Sequence, residues 1–135
     1  MNKMNPVVHF EMPYKDKTRL SEFYQKTFGW QMQAMGMEMG NYVLVTTTET
    51  DQPGGRPKNP GAINGGFFPH DPAKPGFQKP SVVIAVDNIE ESMKMVKTAG
   101  GTIEGEVMDI PGVGKFVSFV DTEGNRVGML QPIGM

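Results

Sequence analysis

The chain has 135 residues, of which 38% are hydrophobic and 21% charged, and its 13 basic and 15 acidic residues give a net charge of -2. A chain of this length buries one sizeable core, so we expect a single domain over residues 1–135. The near-neutral charge excludes nucleic acid as an expected partner, and the absence of cysteine excludes disulfides, thiolate metal sites and cysteine nucleophiles.

No apolar run approaches the roughly 18–20 residues that span a membrane. The first residues, Met-Asn-Lys-Met-Asn-Pro, also lack the apolar segment of a signal peptide. We therefore expect a cytoplasmic protein that does not interact with membranes.

The first half of the chain predicts one helix among four strands. Asp16 is a suitable N-cap for a helix over 16–28, and Gly29 provides the positive φ that ends it. The helix carries an apolar stripe that should face the core, formed by Leu20, Phe23, Tyr24 and Phe28. The predicted strands are 6–12, 30–39, 42–48 and 62–68, with a turn at Gly40 and Asn41.

Seven of the eleven prolines lie between residues 53 and 80. Proline lacks a backbone donor and has a fixed φ, so 52–61 and 69–80 are predicted to be connections.

The second half repeats the same order of elements. Residues 81–86 predict a strand, Asp87 and Glu90 resemble a capping box, and Gly100 and Gly101 end the helix that follows. Three more strands are predicted at 102–110, 115–121 and 126–131. An offset of 72 residues superimposes the start of one half on the other without a gap, and it places Asp16 on Asn88.

Several motifs resemble those of the vicinal oxygen chelate superfamily, which includes lactoylglutathione lyases, bleomycin-resistance proteins and extradiol dioxygenases. The resemblance covers nearly the whole chain and is closest to a small bacterial branch related to lactoylglutathione lyase, which has no single assigned reaction. The segments that carry it are Val7-Val8-His9-Phe10-Glu11-Met12-Pro13, Phe28-Gly29-Trp30, Ile63-Asn64-Gly65-Gly66-Phe67-Phe68, Ile110-Pro111-Gly112-Val113-Gly114 and Asp121-Thr122-Glu123-Gly124-Asn125-Arg126-Val127-Gly128.

The resemblance implies an α+β fold in which two βαβββ modules form a cupped, partly closed mixed sheet with the helices outside. The modules are expected at 6–68 and 81–132, with the proline-rich segment 69–80 as a linker. A homodimer is also implied, with the two modules paired within one chain or exchanged between chains.

Metal-dependent members of the superfamily bind one divalent ion through four inward-pointing side chains. The corresponding positions here are His9, Asn64, Ser81 and Gly128, and only His9 is a good ligand. We therefore expect no metal and no cofactor, and lactoylglutathione lyase activity is not expected. A set of His9, Glu11 and His70 is a weaker alternative, because nothing in the sequence brings His70 to His9.

His9 and Glu11 are two residues apart on the first strand, so they point to one face. The family pattern makes that face the pocket. The two side chains are candidate catalytic residues, as an acid and base pair, or else a structural pair in which Glu11 orients His9.

Five further residues are candidates for contact with a small, partly apolar ligand. Trp30 and Phe68 are predicted near a cavity mouth, and Gly66 permits close approach of a ligand or of a neighbouring strand. The other two candidates, Asn64 and Ser81, supply polar contacts. Met35, Met37 and Met39 are predicted on one face of a strand, as core or as a pocket wall.

Three functions follow from these features. The first is binding of a small, partly apolar molecule without a metal, with no reaction assigned. The second is a lyase, isomerase or epimerase that uses His9 and Glu11 to transfer a proton on a carbonyl compound. The third is sequestration of a drug, as in bleomycin-resistance proteins, although a net charge of only -2 gives little support for binding a cationic drug.

Overall fold

The computed structural model describes residues 3–51, 57–74 and 78–133. Within these residues the chain forms eight strands and two α-helices, which confirms the α+β class. The elements are β1 (Val7–Tyr14), α1 (Lys17–Phe28), β2 (Gln31–Ala34), β3 (Val43–Thr46), β4 (Asn64–Pro69), β5 (Ser81–Ala85), α2 (Ile89–Thr98), β6 (Thr102–Ile110), β7 (Gly114–Val120) and β8 (Arg126–Pro132).

The chain divides into two compact units, which we call the N-terminal unit (residues 9–80) and the C-terminal unit (residues 1–8 and 81–135). Residues 6–8 thus group with the second half, where the Ala85 amide donates a hydrogen bond to the Pro6 carbonyl at 2.9 Å. The predicted organisation of both units as one domain, with 69–80 as its linker, stays a prediction.

Both units contain a four-stranded mixed sheet with the same connectivity. The strand order is β2-β3-β4-β1 in the N-terminal unit and β6-β7-β8-β5 in the C-terminal unit. The first strand of each unit pairs in parallel with the last, and the other pairs are antiparallel. The internal repeat predicted from the sequence is therefore present as two similar βαβββ units.

One face of the N-terminal sheet packs against α1. Val43, Val45 and Phe67 are almost fully buried there, and Leu20 and Tyr24 of the helix pack against them. Phe10, Met12 and Tyr14 of β1 also join this core. Because side chains alternate along a strand, the odd-numbered residues of β1 point to the opposite face, which we call the uncovered face of this sheet.

The C-terminal sheet follows the same rule. Ile89 of α2, Val117 and Met129 form its buried core. Ser118 and Gly128 are each one residue away from a core residue, so they lie on the sheet face opposite α2, the uncovered face of the C-terminal sheet.

The helix ends follow the predictions with one correction. Asp16 accepts a hydrogen bond from the Arg19 amide at 3.0 Å, and Gly29 ends α1 with a φ of 73°. The N-cap of α2 is Asn88, which accepts from the Glu91 amide, and not Asp87 as predicted. Asn88 is the residue that the 72-residue offset places on Asp16.

The predicted strand over 30–39 is wrong in its second part. β2 ends at Ala34, and Met37–Met39 form a short 3-10 helix that ends at Gly40 with a φ of 67°. Asn41 also has a positive φ, so two consecutive residues turn the chain toward β3. The three methionines therefore do not share a strand face, and the side chain of Met37 is 83% exposed.

Half of the predicted apolar stripe of α1 faces outward. Leu20 and Tyr24 pack in the core, whereas Phe23 and Phe28 are 55% and 61% exposed.

No helix among the described residues is long and apolar enough to cross a membrane.

We expect Asp16→Ala to lower the free energy of unfolding by about 1 kcal/mol, because it removes the side-chain acceptor that caps α1. Asn88→Ala should have a similar effect through α2. Urea unfolding followed by circular dichroism measures both changes. Asp16→Asn keeps a capping oxygen and serves as the control; equal stability of the Ala and Asn variants would contradict the assigned cap.

Candidate functional site

The candidate site lies on the uncovered face of the N-terminal sheet. His9 and Glu11 project from β1 to this face, and the Glu11 side chain is buried, with 9% of the residue exposed. In the neighbouring strand β4, Asn64 lies beside His9 and Gly66 beside Glu11. The prediction that the two candidate catalytic residues share a face therefore agrees with the observed alternation of β1.

Tyr42 links the two candidate residues. Its hydroxyl lies 3.0 Å from the Nε2 atom of His9 and donates a hydrogen bond to the Oε2 atom of Glu11 at 2.9 Å. The three side chains therefore form a continuous hydrogen-bonded chain. Sequence reasoning missed Tyr42, although its position directly after the Gly40-Asn41 turn is a usable signal for a residue placed at a strand end.

Gly66 makes room for Tyr42. A Cβ atom at Gly66 would overlap the Tyr42 hydroxyl and the adjacent ring carbons. The close approach predicted at this glycine is thus made by the tyrosine ring of the same unit. Any larger residue at position 66 would displace the ring and break the hydrogen-bonded chain.

The chain of hydrogen bonds fixes the tautomer of His9. The Tyr42 hydroxyl donates its single hydrogen to Glu11. The Tyr42 oxygen must then accept from His9, which requires the proton of the neutral imidazole on Nε2. Nδ1 is left as the acceptor nitrogen of the ring.

Burial keeps His9 neutral. Removal of the ring from water disfavours the imidazolium and lowers the pKa of His9 from 6.5 to about 4. At neutral pH the side chain is therefore an uncharged imidazole that donates through Nε2 and accepts through Nδ1.

Asn64 holds a loop in place. Its Oδ1 atom accepts hydrogen bonds from the amides of Thr47 and Thr48 at 2.7 and 3.1 Å. These bonds satisfy backbone donors just after β3, which is a structural role for the carbonyl end of this side chain.

The two aromatic candidates lie in different places. Phe68 is two residues after Gly66 on β4, so it shares the uncovered face and is partly buried. Trp30 stacks on Tyr24 of α1 with the ring centroids 4.5 Å apart and the planes 7° apart. The structure therefore brings Phe68 toward His9, Glu11 and Gly66 but places Trp30 in the helix-side core.

Ser81 belongs to the C-terminal unit. Its hydroxyl accepts a hydrogen bond from Nη1 of Arg126 at 3.4 Å, and Nη2 of the same guanidinium donates to Ser118 at 2.9 Å. Arg126, Ser118 and Gly128 lie on the uncovered face of the C-terminal sheet. Sequence reasoning did not single out Arg126 or Ser118.

The sheet register tests whether the donor set fits a divalent metal. In the C-terminal sheet Val83 pairs with Gly128, and in the N-terminal sheet Glu11 pairs with Gly66. The 72-residue offset places Glu11 on Val83. Gly66, and not Asn64, is therefore the counterpart of Gly128. Glycine offers no side-chain ligand, and the described residues contain no group of three or more His, Cys, Asp or Glu side chains that could hold a metal. The donor set does not fit the metal of the superfamily.

His70 is not brought to His9. The His70 amide donates to the carbonyl of Tyr14, at the far end of β1 from His9. The side chain lines a separate cleft of about 580 Å³ together with Lys15 and Arg19. The alternative set of His9, Glu11 and His70 is therefore wrong.

Comparisons with known proteins identify the fold. Residues 7–48 match the family described as Bleomycin resistance protein-like N-terminal. A hypothetical protein from Bacillus halodurans C-125 has a TM-score of 0.68 at 13% identity, over 98% of both chains. None of the curated proteins matches this sequence.

Two further similar structures are methylmalonyl-CoA epimerases. The enzyme from Mycobacterium tuberculosis has a TM-score of 0.64 at 13% identity, over 93% of this chain and 87% of that chain. A variant of the Streptomyces coelicolor enzyme in complex with 2-nitronate-propionyl-CoA has a TM-score of 0.68 at 11% identity, over 98% of both chains. These structures show that the chain shares the fold of the epimerases, and the first part of the chain, residues 7–48, matches the bleomycin-resistance-like family model.

Proposed function

We propose that the protein binds a small, partly apolar carbonyl compound without a metal and transfers a proton on it, as an isomerase or epimerase does. The observation that carries this proposal is the hydrogen-bonded chain from His9 through Tyr42 to Glu11. Phe68 supplies an apolar contact beside these groups. We further propose a cytoplasmic homodimer.

The hydrogen-bonded chain provides a route for the proton. Nδ1 of His9 accepts the proton from the carbon next to the substrate carbonyl while Nε2 gives its own proton to the Tyr42 oxygen. Tyr42 in turn passes its hydroxyl proton to Glu11. Three bonds to hydrogen break, at the substrate carbon, at Nε2 of His9 and at the Tyr42 oxygen. Three form, at Nδ1 of His9, at the Tyr42 oxygen and at Glu11, and the negative charge moves from Glu11 to the substrate.

This route agrees with the low pKa of His9. A base with a pKa of about 4 forms an imidazolium only at high cost in a buried site. Relay to Glu11 avoids that cation, because the imidazole exchanges one proton for another and stays neutral. The neutralised carboxyl group then holds the proton for return to the substrate.

The relatives support proton transfer as the reaction type. Methylmalonyl-CoA epimerases are among the similar structures. Epimerisation at a carbon next to a carbonyl requires removal and return of one proton, which is the chemistry that the His9 chain can perform. Methylmalonyl-CoA is therefore a rational first probe, together with a glutathione hemithioacetal.

A second candidate function is sequestration of a small molecule without a reaction. The match of residues 7–48 to a family described as bleomycin resistance protein-like favours it. Tight binding of bleomycin, with no proton exchange on either probe, would support sequestration over catalysis.

We expect Tyr42→Phe to slow proton exchange by about 10²-fold, because it removes the link between His9 and Glu11 while leaving both end groups in place. The measurement is incorporation of deuterium from D2O next to the carbonyl of methylmalonyl-CoA, followed by mass spectrometry. Tyr24→Phe is the matched control, because Tyr24 stacks in the helix-side core. Exchange in Tyr42→Phe at the wild-type rate would refute the relay.

We expect His9 to make the folded state less stable at acid pH. The neutral ring favours folding above the unfolded pKa of 6.5, and this contribution is lost as the pH falls toward the folded pKa of about 4. The free energy of unfolding should fall by at most about 3 kcal/mol over this pH range. Urea unfolding of the wild type and of His9→Gln across this pH range measures this loss of stability. The stability difference between the two proteins should shrink or reverse as the pH falls. A pH-independent difference would contradict the burial of a neutral His9.

A further inference from the structure

A cleft at the start of α1 is lined by residues that the proposed proton transfer does not use. Its volume is about 580 Å³, which lies within the range of small-molecule sites in proteins. All of its lining residues belong to the N-terminal unit. Tyr14 lies in this cleft at one end of β1, about 16 Å along the strand from His9.

Hydrogen bonds hold both walls of the cleft in place. On the helix side, Asp16 accepts from the Arg19 amide at 3.0 Å, and this bond engages the Asp16 carboxylate with the helix backbone. On the other side, the His70 amide donates to the Tyr14 carbonyl at 2.8 Å. Nε2 of Gln78 donates to two backbone carbonyls of its own loop. The cleft is therefore preformed, as most small-molecule sites are.

Two cations that line the cleft have no carboxylate partner in the described part of the chain. These cations are Lys15 and Arg19, and neither forms an ion pair with a described residue. Lys26 of the same helix differs, because its ammonium lies 3.9 Å from the Glu22 carboxylate. The His70 ring adds a further nitrogen donor to the cleft. This excess of positive charge and of donors favours an anion as the ligand.

An exposed aromatic ring lies next to these charges. Phe23 lines the cleft together with Pro13 and Leu20, and 55% of Phe23 is exposed. Arg19 and Phe23 are four residues apart on α1, so their side chains are neighbours on the helix surface, with about 6 Å between their Cβ atoms. A molecule that contacts both residues therefore has its anionic group only a few bonds from its apolar part.

We infer that this cleft binds a phosphate monoester whose phosphate is joined through a few bonds to a flat ring, as in a nucleoside monophosphate. At neutral pH such a phosphate carries a charge of about -2, which Lys15 and Arg19 together balance. The planar guanidinium matches two phosphate oxygens, and the ammonium acts as a point charge. The Phe23 side chain packs against the ring of the ligand.

This inference stands apart from the proton-transfer proposal. Its residues lie at the end of β1 that is far from His9, and they share no hydrogen bond with His9, Tyr42 or Glu11 in the described structure. Binding in the cleft is measured without any reaction. Failure of either proposal therefore leaves the other intact.

The test uses adenosine 5'-monophosphate, adenosine and inorganic phosphate as probes of the ¹⁵N-labelled full chain. We expect the monophosphate to cause saturable shifts of the amide signals of Lys15, Arg19 and His70. It should bind about tenfold more tightly than adenosine, which lacks the charged group, and about tenfold more tightly than inorganic phosphate, which lacks the ring.

Two pairs of variants on α1 separate the charge from the ring. Arg19→Gln should weaken binding of the monophosphate about tenfold, whereas Lys26→Gln removes the same charge outside the cleft and should leave binding unchanged. Phe23→Ala should also weaken the monophosphate about tenfold but leave inorganic phosphate unaffected. Phe28→Ala is its control, because Phe28 is 61% exposed on the same helix and does not line the cleft. Circular dichroism verifies that each variant is folded.

Several outcomes would overturn the inference. The absence of a saturable shift in the folded wild type would remove the site, and equal affinity for the monophosphate and inorganic phosphate would remove the ring contact. Equal weakening by Arg19→Gln and Lys26→Gln would show a non-specific effect of net charge. Unchanged binding in Phe23→Ala, or shifts confined to His9, Tyr42 and their neighbours, would also refute it.

Discussion

The alternation of side chains along each strand is the constraint on which the rest of the structure depends. Helices α1 and α2 each cover one face of a four-stranded sheet and bury the apolar residues of that face. Every second residue must then point to the uncovered face, where polar groups need partners from neighbouring strands. Tyr42 meets this need for Glu11, and Ser118 meets it for Arg126.

The sequence predicted the order of the elements because local signals determine them. Asp16 and Gly29 mark the ends of α1, and the 72-residue repeat identifies the second unit. The prediction of the α2 N-cap was wrong because two neighbouring residues, Asp87 and Asn88, are both good N-caps. The observed N-cap is Asn88. The strand predicted beyond Ala34 was wrong because the alternating apolar residues indicated a strand, whereas Gly36 and Gly40 permit a tight turn.

The candidate site was predictable only in part for a related reason. The spacing of His9 and Glu11 places both on one face, because two residues of one strand share a backbone. Tyr42 reaches Glu11 from 31 residues further along the chain, and Arg126 reaches Ser81 across 45 residues. Such contacts depend on strand register and on side-chain reach, neither of which composition or periodicity specifies.

The two uncovered faces use the same framework for different chemistry. In each unit an aromatic ring covers a glycine of the last strand: Tyr42, just before β3, covers Gly66, and Phe116 of β7 covers Gly128. The ring carries a hydroxyl only in the first case, which is where a buried carboxylate lies beside it. Glycine at both positions therefore does not leave holes in the sheets, because each glycine admits an aromatic ring. Only the Tyr42 ring carries a hydroxyl, and that hydroxyl joins His9 to Glu11.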